Sequence, residues 1–371
     1  MITEEDLQKI KALRKTLHSM PEKSGEEIKT KACLMAFLKE NTSLQTEDRG
    51  SYFFVYAKAP GAKMPPVAFR ADMDAVCAHD GKPGHFCGHD GHSSILSGLA
   101  LILDKEKEKL SRDVYLIFQP AEETGEGAAV CRELIKEKNI ERIYGLHNIP
   151  GYPEKTVLFK KGTFACASTG LEIRMTGTPS HAAYPEAGKN PGTALAELLL
   201  SIEALTKKIR EQESFVLMTL IGMEIGSESY GVSASDGVLR LTVRGEKESV
   251  FSRYLEEIRR LADEKAGAGG FTLQMKEIER FPATENHTEC VEAVERAAKE
   301  LGLATEELAV PMRWSEDFGY YLQDTKGAFF GIGDGEEHAQ LHTEHFEFPD
   351  SILPAAVALF ELVLNDLLLN S

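Results

Sequence analysis

The sequence predicts an α/β protein: a helix-covered, mainly parallel-sheet domain into which a second domain of different pattern is inserted. Three observations predict it. Over residues 1–150, short apolar runs alternate with amphipathic helical segments, the signature of strands joined by helical crossovers. From about residue 167 the pattern changes to longer alternating strands and two long helices. Polar clusters follow directly after three of the apolar runs, where folds of this kind place their chemistry, beyond the carboxyl ends of the strands.

Leu7, Ile10, Leu13 and Leu17 recur at helical spacing behind Thr3, a plausible N-cap followed by an acidic first turn. A second helix carries Ile28, Leu34, Phe37 and Leu38. Strands are predicted at Tyr52–Tyr56, Val67–Arg70, Val114–Phe118 and Ile143–Leu146, with helices over Ser93–Asp104 and Ala128–Lys136. The middle region reads strand Thr169–Thr176, helix Pro191–Ile209, strands Phe215–Gly222 and Val238–Arg244, helix Ser249–Lys265 and strand Phe271–Glu277. That β-α-β-β-α-β order is the ferredoxin-like unit. The expected division is therefore a discontinuous domain of residues 1–166 and 282–371, the latter with a strand at Phe329–Ile332, around an insert of 167–281.

The composition excludes several function classes. With 42 Lys+Arg against 59 Asp+Glu, the net charge of −17 argues against nucleic acid or an anionic membrane as partner. The first fifteen residues show no signal-peptide pattern. The apolar stretch Ile352–Leu369 is interrupted by Pro354, Glu361, Asn365 and Asp366, which argues against a membrane span. Six cysteines without a CxxC pair read as those of a reduced, cytoplasmic protein.

The densest chemistry is His85-Phe-Cys-Gly-His-Asp-Gly-His92, with three His, one Cys and one Asp in eight residues. Cys87 and His89 suit zinc and similar divalent metals, and their spacing across a glycine lets both face one ion. A closed structural zinc site would need a second Cys pair, which the sequence lacks locally. Asp72 and Asp74 follow the Val67 run, Glu122 and Glu123 follow the Val114 run through Gln119-Pro120, and His147 follows the Ile143 run. Adjacent carboxylates are usually a solvated helix face. At a strand end they can divide the work, one holding metal and the other accepting a proton. His342 and His181 are further candidates, each with an ordinary reading as a surface or turn histidine. Trp314 reads as core packing. His79, His85, His92, His338 and His345 lie beside these motifs without matching ligand spacing; His79 and His338 read as surface or pocket-rim residues, His85 and His92 as supports behind the ligands or ordinary polar residues, and Cys77 as a thiol that could lie near the metal.

Eight segments stand in order: Leu17-His-Ser-Met-Pro-Glu22, Phe69-Arg-Ala-Asp-Met-Asp-Ala75, His85 to His92, Gln119-Pro-Ala-Glu-Glu123, Gly145-Leu-His-Asn148, Ser180-His-Ala-Ala-Tyr-Pro185, Ser315-Glu-Asp-Phe318 and Leu341-His-Thr343. Together they resemble the M20 metallopeptidase family, in the branch of hippurate hydrolases, N-acetyl-diaminopimelate deacetylases and indole-acetyl-amino-acid hydrolases. The resemblance implies an amidohydrolase acting on an N-acyl amino acid or related small amide, with two divalent ions drawn from Zn, Mn, Co or Ni. It implies Cys87, His89, Glu123, His147 and His342 as metal ligands. Glu122 falls on the general-base position, Asp74 on a carboxylate that orients a ligand or the base, and His181 on an oxyanion donor carried by a ferredoxin-like lid. Arg244 falls near the substrate. Some members pair two subunits, and here the lid's edge strand and the Pro191–Ile209 helix offer such a homodimer surface. A dipeptidase or carboxypeptidase using the same site, and a non-catalytic ligand-binding relative, are the competing readings.

Two departures stand out. Only Ala75 to Phe86 separate Asp74 from Cys87, a shortened loop that resembles the AmhX-like short members. In Glu228-Ser-Tyr-Gly-Val-Ser-Ala-Ser235, Gly231 stands where the family pattern expects a substrate-holding Asn.

Overall fold

The computed structural model describes residues 2–78 and 80–369. It divides into two compact units: Met1–Phe164, Thr284–Pro311 and Glu316–Ser371 form unit 1, and Ala165–Ala283 with Met312–Ser315 form unit 2. The short stretch Met312–Ser315 thus groups with the insert, and Ala165 pairs with Met312 in an isolated bridge.

Unit 1 begins with α1 (Glu4–His18), whose Thr3 cap accepts a hydrogen bond from Asp6 N at 3.2 Å. Such a cap contributes about 1 kcal/mol. The helix buries Ile10, Leu13 and Leu17 in one stripe. In α2 (Ile28–Asn41) the buried stripe is Thr30, Leu34 and Leu38, whereas Ile28, in the first turn and off that face, is 77% exposed. The strands are β1 (Gln45–Asp48), β2 (Phe53–Ala57), β3 (Val67–Asp72), β4 (Val114–Gln119), β5 (Arg142–Pro150) and β6 (Val157–Phe159). Between β3 and β4 runs α3 (His89–Glu106), in which every residue from His89 to Leu103 is buried. The helix is buried on every face although its first turns are polar, and α3 packs against α1, α2 and β3.

Unit 2 contains β7 (Ala167–Thr176), α4 (Gly192–Gln212), β8 (Val216–Ile225), β9 (Asp236–Gly245), α5 (Glu248–Gly269) and β10 (Thr272–Phe281). Its sheet order is β8-β9-β7-β10, with every neighbouring pair antiparallel. Burial alternates along the strands. Leu171, Ile173 and Met175 of β7 and Leu239, Leu241 and Val243 of β9 face inward. There they meet Leu195, Leu198 and Ile202 of α4 and Phe251, Tyr254 and Ile258 of α5. A hydrogen bond of 2.5 Å between Thr206 Oγ1 and the Tyr254 hydroxyl joins the two helices.

Unit 1 resumes with α6 (Thr288–Glu300), β11 (Thr305–Glu307), β12 (Lys326–Gly335) and α7 (Leu353–Leu369). Its large sheet runs β1-β2-β4-β3-β5-β12-β6-β11. The central strands β4, β3, β5 and β12 are mutually parallel. β1 and β2 run antiparallel at one edge. The protein is therefore mixed α/β with a large, mainly parallel central sheet. The segment Asp350–Leu368 is long and apolar enough to cross a membrane by length and composition alone. In the fold, Leu353, Val357, Phe360, Val363, Leu364 and Leu367 of α7 lie in the core of unit 1 instead.

The helix expected at Ala128–Lys136 is two short helices, Gly127–Cys131 and Glu133–Lys138. The first opens at a position that only glycine fits, since a Cβ on Gly127 would lie 1.7 Å from the Pro120 carbonyl oxygen. That close approach folds the turn carrying Glu122 and Glu123 back against the end of β4.

A candidate metal centre at the carboxyl ends of the parallel strands

The parallel pairing brings three strand ends level. Asp72, at the end of β3, sits opposite Gln119, at the end of β4, and His147 on β5 sits opposite Gly331 on β12. In the spatial order β4-β3-β5-β12-β6, the connection from β3 runs to β4 on one side and that from β5 runs to β6 on the other, which opens a crevice between β3 and β5. α3 enters that crevice by its N-terminus. Its cap, Gly88, has φ +97°, and a Cβ there would come within 2.3 Å of the Asn148 side-chain oxygen. This left-handed step turns Cys87 and His89 toward the same space, a geometry closed to other residues.

Cys87, His89 and His147 have ligand atoms within 4.8 Å of one another, and Cys87, Glu123 and His342 form a second such group. The Cys87 Sγ lies 3.3 Å from His147 Nε2. Glu123 Oε1 lies 3.6 Å from His89 Nε2 and 3.5 Å from His342 Nε2. Glu123 and Cys87 thus link three histidines into one centre.

Each inner histidine is fixed by its other nitrogen. His89 Nδ1 donates to Asp74, 3.0 Å from Oδ1 and 3.1 Å from the carbonyl oxygen. His147 Nδ1 donates to the Asn148 carbonyl at 2.7 Å, which leaves its Nε2 lone pair facing the centre. Asp74 is held in turn by the Ser24 hydroxyl at 2.7 Å and the Glu123 backbone N–H at 3.0 Å. This carboxylate behind a histidine is the support that metal-ligating imidazoles commonly have. His342 is more exposed and has a left-handed backbone at φ +61°, and its N–H donates to the Phe86 carbonyl at 2.8 Å.

The residues fit a divalent ion. His89 Nε2 and Glu123 Oε1 are buried and have no hydrogen-bond partner among the described residues, an expensive condition for polar atoms in a protein interior. Burial would lower the pKa of His89, but Asp72, Asp74 and Glu123 raise it to about 10. Burial, with Glu123 and Glu122 beside it, pushes the Cys87 thiol well above its ordinary value. Burial and then His92 and His89 hold His147 well below its ordinary value. A thiol and imidazoles crowded by carboxylates are the donors that suit a borderline-soft cation.

Glu122 stands beside this set, its Oε2 4.0 Å from His89 Nε2 and its Oε1 accepting from the Asp317 N–H at 3.3 Å. Burial, then Glu316 and Glu123, raise its pKa well above that of an ordinary carboxylate. A carboxylate that holds a proton more readily than usual is suited to general acid–base work near neutral pH.

Unit 1 therefore brings together Cys87, His89, Glu123, His147, His342, Glu122 and Asp74. His181 and Arg244 belong to unit 2. His181 is exposed on a small ladder in which Ser180–His181 pairs with Val232–Ser233. The Ala183 N–H donates to His181 Nδ1 at 3.0 Å, so in the neutral ring the proton sits on Nε2. Arg244 Nη1 donates to the Arg313 carbonyl and the Ser315 hydroxyl, both at 2.9 Å, and burial lowers its pKa. Part of its guanidinium is thus committed within unit 2. Cys77 is exposed and outside these clusters, Trp314 is only half-buried, and His79 lies outside the described residues.

A buried polar layer lies beneath the centre; the sequence reading offers His92 as a support behind the ligands but not the partners it meets. Asp72 Oδ1 accepts from His92 Nδ1 at 2.7 Å, and His92 Nε2 donates to Asn148 Oδ1 at 2.7 Å. Asn148 Nδ2 donates to Asp334 at 2.7 Å. Arg70, fully buried, pairs with Asp72, Glu316 and Asp317. The available signal was a charged Arg-Ala-Asp run inside an otherwise apolar strand, since a buried charge demands partners.

Fold and site together define a hydrolase of the M20 class. The Peptidase family M20/M25/M40 profile matches residues 68–366, and the chain belongs to this family, whose members are enzymes acting on amide bonds. Among relatives, the N-acetyl-L-cysteine deacetylase of Bacillus subtilis (strain 168) is 28% identical over 362 residues, 94% of this chain and 86% of its own. The N-acetyldiaminopimelate deacetylase of Leuconostoc citreum (strain KM20) is 27% identical over 98% of each chain. The crystal structure of the Bacillus subtilis YXEP protein, a dinuclear metal binding peptidase from the M20 family, superposes with a TM-score of 0.83 at 23% identity over 99% of each chain, a likeness of fold.

Proposed function

We propose that the protein is a metal-dependent amidohydrolase that cleaves the amide bond of an N-acyl amino acid or related small amide, with Glu122 as general base. The observation that carries this reading is His89. Its Nδ1 is locked by Asp74, and its buried Nε2 faces Glu123 Oε1 without a hydrogen-bond partner among the described residues. Cys87, His89, Glu123, His147 and His342 would hold two divalent ions. When bound, these ions supply positive charge that acidifies water and polarises an amide carbonyl. Asp74 keeps His89 Nε2 turned inward, and the Asn148 carbonyl does the same for His147. Glu122 accepts the proton of the attacking water on its carboxylate and returns it to the departing amine nitrogen. The supporting feature is a buried carboxylate whose proton affinity is raised and which is held next to the donor set.

His181 is assigned the oxyanion donor, through Nε2–H, and Arg244 a substrate contact. Both assignments rest on the family motifs. Unit 2 is assigned the role of a ferredoxin-like lid, supported by its β8-β9-β7-β10 order. A homodimer through β8 and α4, which expose Leu220, Ile221 and Leu200, belongs to the same proposal and is tested by sedimentation. So does a cytoplasmic location, supported by six free cysteines.

The test pairs elemental analysis with hydrolysis of acyl-amino-acid and dipeptide panels in the presence of Mn²⁺, Zn²⁺, Co²⁺ or Ni²⁺. The expected result is about two ions per chain and metal-restored cleavage of acyl amino acids. In Glu122→Ala, turnover is expected to vanish with metal content and fold intact, and near-wild-type turnover in that variant would sink the mechanism. Preferred cleavage of dipeptides with a free amino terminus would make it a peptidase, and bound metal without any turnover would make it a binding protein.

A further inference from the structure

The segment Ser315-Glu-Asp-Phe318 matches the family pattern, yet none of its residues is a ligand, the base or the oxyanion donor. The structure places Glu316, Asp317 and Phe318 directly behind Glu122. Asp317 makes contacts on both sides of the turn that carries Glu122 and Glu123. Before the turn, Gln119 Nε2 donates to Asp317 Oδ1 at 2.8 Å and Oδ2 at 2.9 Å. After it, the Ala128 N–H donates to Asp317 Oδ2 at 2.8 Å. The backbone N–H of the same residue donates to Glu122 Oε1. One residue thus fixes both ends of the turn and one oxygen of the carboxylate at its tip.

Arg70 locks this clamp to the neighbouring strand. Its Nε donates to Gln119 Oε1 at 2.7 Å, and its Nη2 donates to Asp317 Oδ1 at 2.9 Å and Glu316 Oε1 at 3.0 Å. Glu316 Oε1 also accepts from the Phe318 N–H at 3.1 Å, which tightens the segment on itself. All of these groups are buried. A buried ionic cluster is no better for stability than well-packed apolar side chains of the same volume, so its directionality is what it adds here. With Oε1 tied to Asp317, the other oxygen of Glu122 is the one left facing His89.

We propose that Asp317, with Arg70 and Glu316 locking it, is a positioning residue that aims Glu122 Oε2 into the metal centre. This assignment rests on the general-base reading of Glu122. It acts through Glu122 and touches neither ligand nor substrate.

Asp317→Asn keeps the side-chain volume but presents an N–H donor to groups that are already donors. The expected result is a fall in kcat of about tenfold or more, with KM within about twofold and metal content and circular dichroism as in the wild type. Because the effect runs through Glu122, Asp317→Asn is expected to cause no further loss in a Glu122→Gln background. A readout independent of turnover is the hydrogen exchange of the Asp317 amide in metal-free protein. It is expected to quicken in Glu122→Ala, while the Ala128 amide, bonded to the Asp317 side chain, is unchanged. If Asp317→Asn does not fold, Glu316→Gln is expected to lower kcat several-fold with the same non-additivity. Wild-type kcat in the folded variant, an additive loss in the double variant, or unchanged Asp317 exchange would each overturn the proposal. Retained turnover in Glu122→Gln alone would instead overturn the general-base reading, and the exchange result would still report on the clamp.

Discussion

Replacing Arg70 by Met removes a buried cation that three buried carboxylates share, and its cost can be worked from the geometry. The guanidinium lies 2.7 Å from Asp72, 3.0 Å from Glu316 and 2.9 Å from Asp317, with every side chain about fully buried. At an effective dielectric near 20, a charge pair about 4 Å apart attracts by about 4 kcal/mol. Most of that attraction is offset by desolvation in the intact cluster, but removing one partner leaves the others uncompensated, at a cost of about 3–5 kcal/mol. For a unit of this size, 1 kcal/mol moves Tm by about 2–4 °C, so the expected loss is roughly 6–20 °C. The loss should depend on pH. Burial holds the pKa values of Glu316 and Asp317 above the ordinary carboxylate range, and Arg70 is the chief group pulling them down. Without it they rise further. A carboxyl whose folded pKa is raised contributes stability that is fully present below its unfolded pKa and is lost as pH rises through the folded one. Wild type and Arg70→Met should therefore differ least near pH 4–5 and most at pH 8. Thermal unfolding of metal-free protein across that range measures it. A variant within about 2 °C of wild type at pH 8 would refute the claim that Arg70 neutralises the cluster.

Two other predictions concern the centre and the residues behind it. Cys87→Ala should weaken metal binding by at least the ten- to hundredfold that loss of a supporting residue costs, read as metal retained per chain after gel filtration; unchanged content would remove Cys87 from the site. His18 donates from Nδ1 to Asp90 at 2.8 Å, and that hydrogen bond raises its pKa. The contact contributes fully below pH 6.5 and is lost as pH rises through the folded value, so His18→Gln should lower Tm at pH 6 but not at pH 9. With His18 half exposed, the shift should be only about 1–3 °C, and an equal deficit at both pH values would contradict the assigned ion pair.

Much of the fold was legible because its elements are locally encoded. The Leu7 to Leu17 stripe behind Thr3 became α1 with its cap in place, and the apolar runs at Val67, Val114 and Ile143 became adjacent parallel strands. The breaks came where distant atoms decide. The helix expected across Ala128–Lys136 divides in two, its start pressed against the Pro120 carbonyl at Gly127. Ile28 left the apolar stripe because it lies on the open side of α2. Met312–Ser315 joined unit 2 through the bridge of Met312 to Ala165, a pairing between segments almost 150 residues apart in sequence that no local pattern encodes.

The ligand-type residues were visible one motif at a time, since Cys, His and paired carboxylates at strand ends are unusual enough to notice. What a linear reading lacks is which atoms meet. The sequence by itself determined the family, the alternating architecture, and the donor types available at each strand end. Only the tertiary structure decided that Glu123 lies between His89 and His342, that Asp74 locks His89, and that Arg70 joins Asp72 to Glu316 and Asp317 from nearly 250 residues away. The physical reason is that a buried charge is tolerable only with partners at hydrogen-bond distance. Those partners are supplied by whichever strand ends and loops the packing brings together.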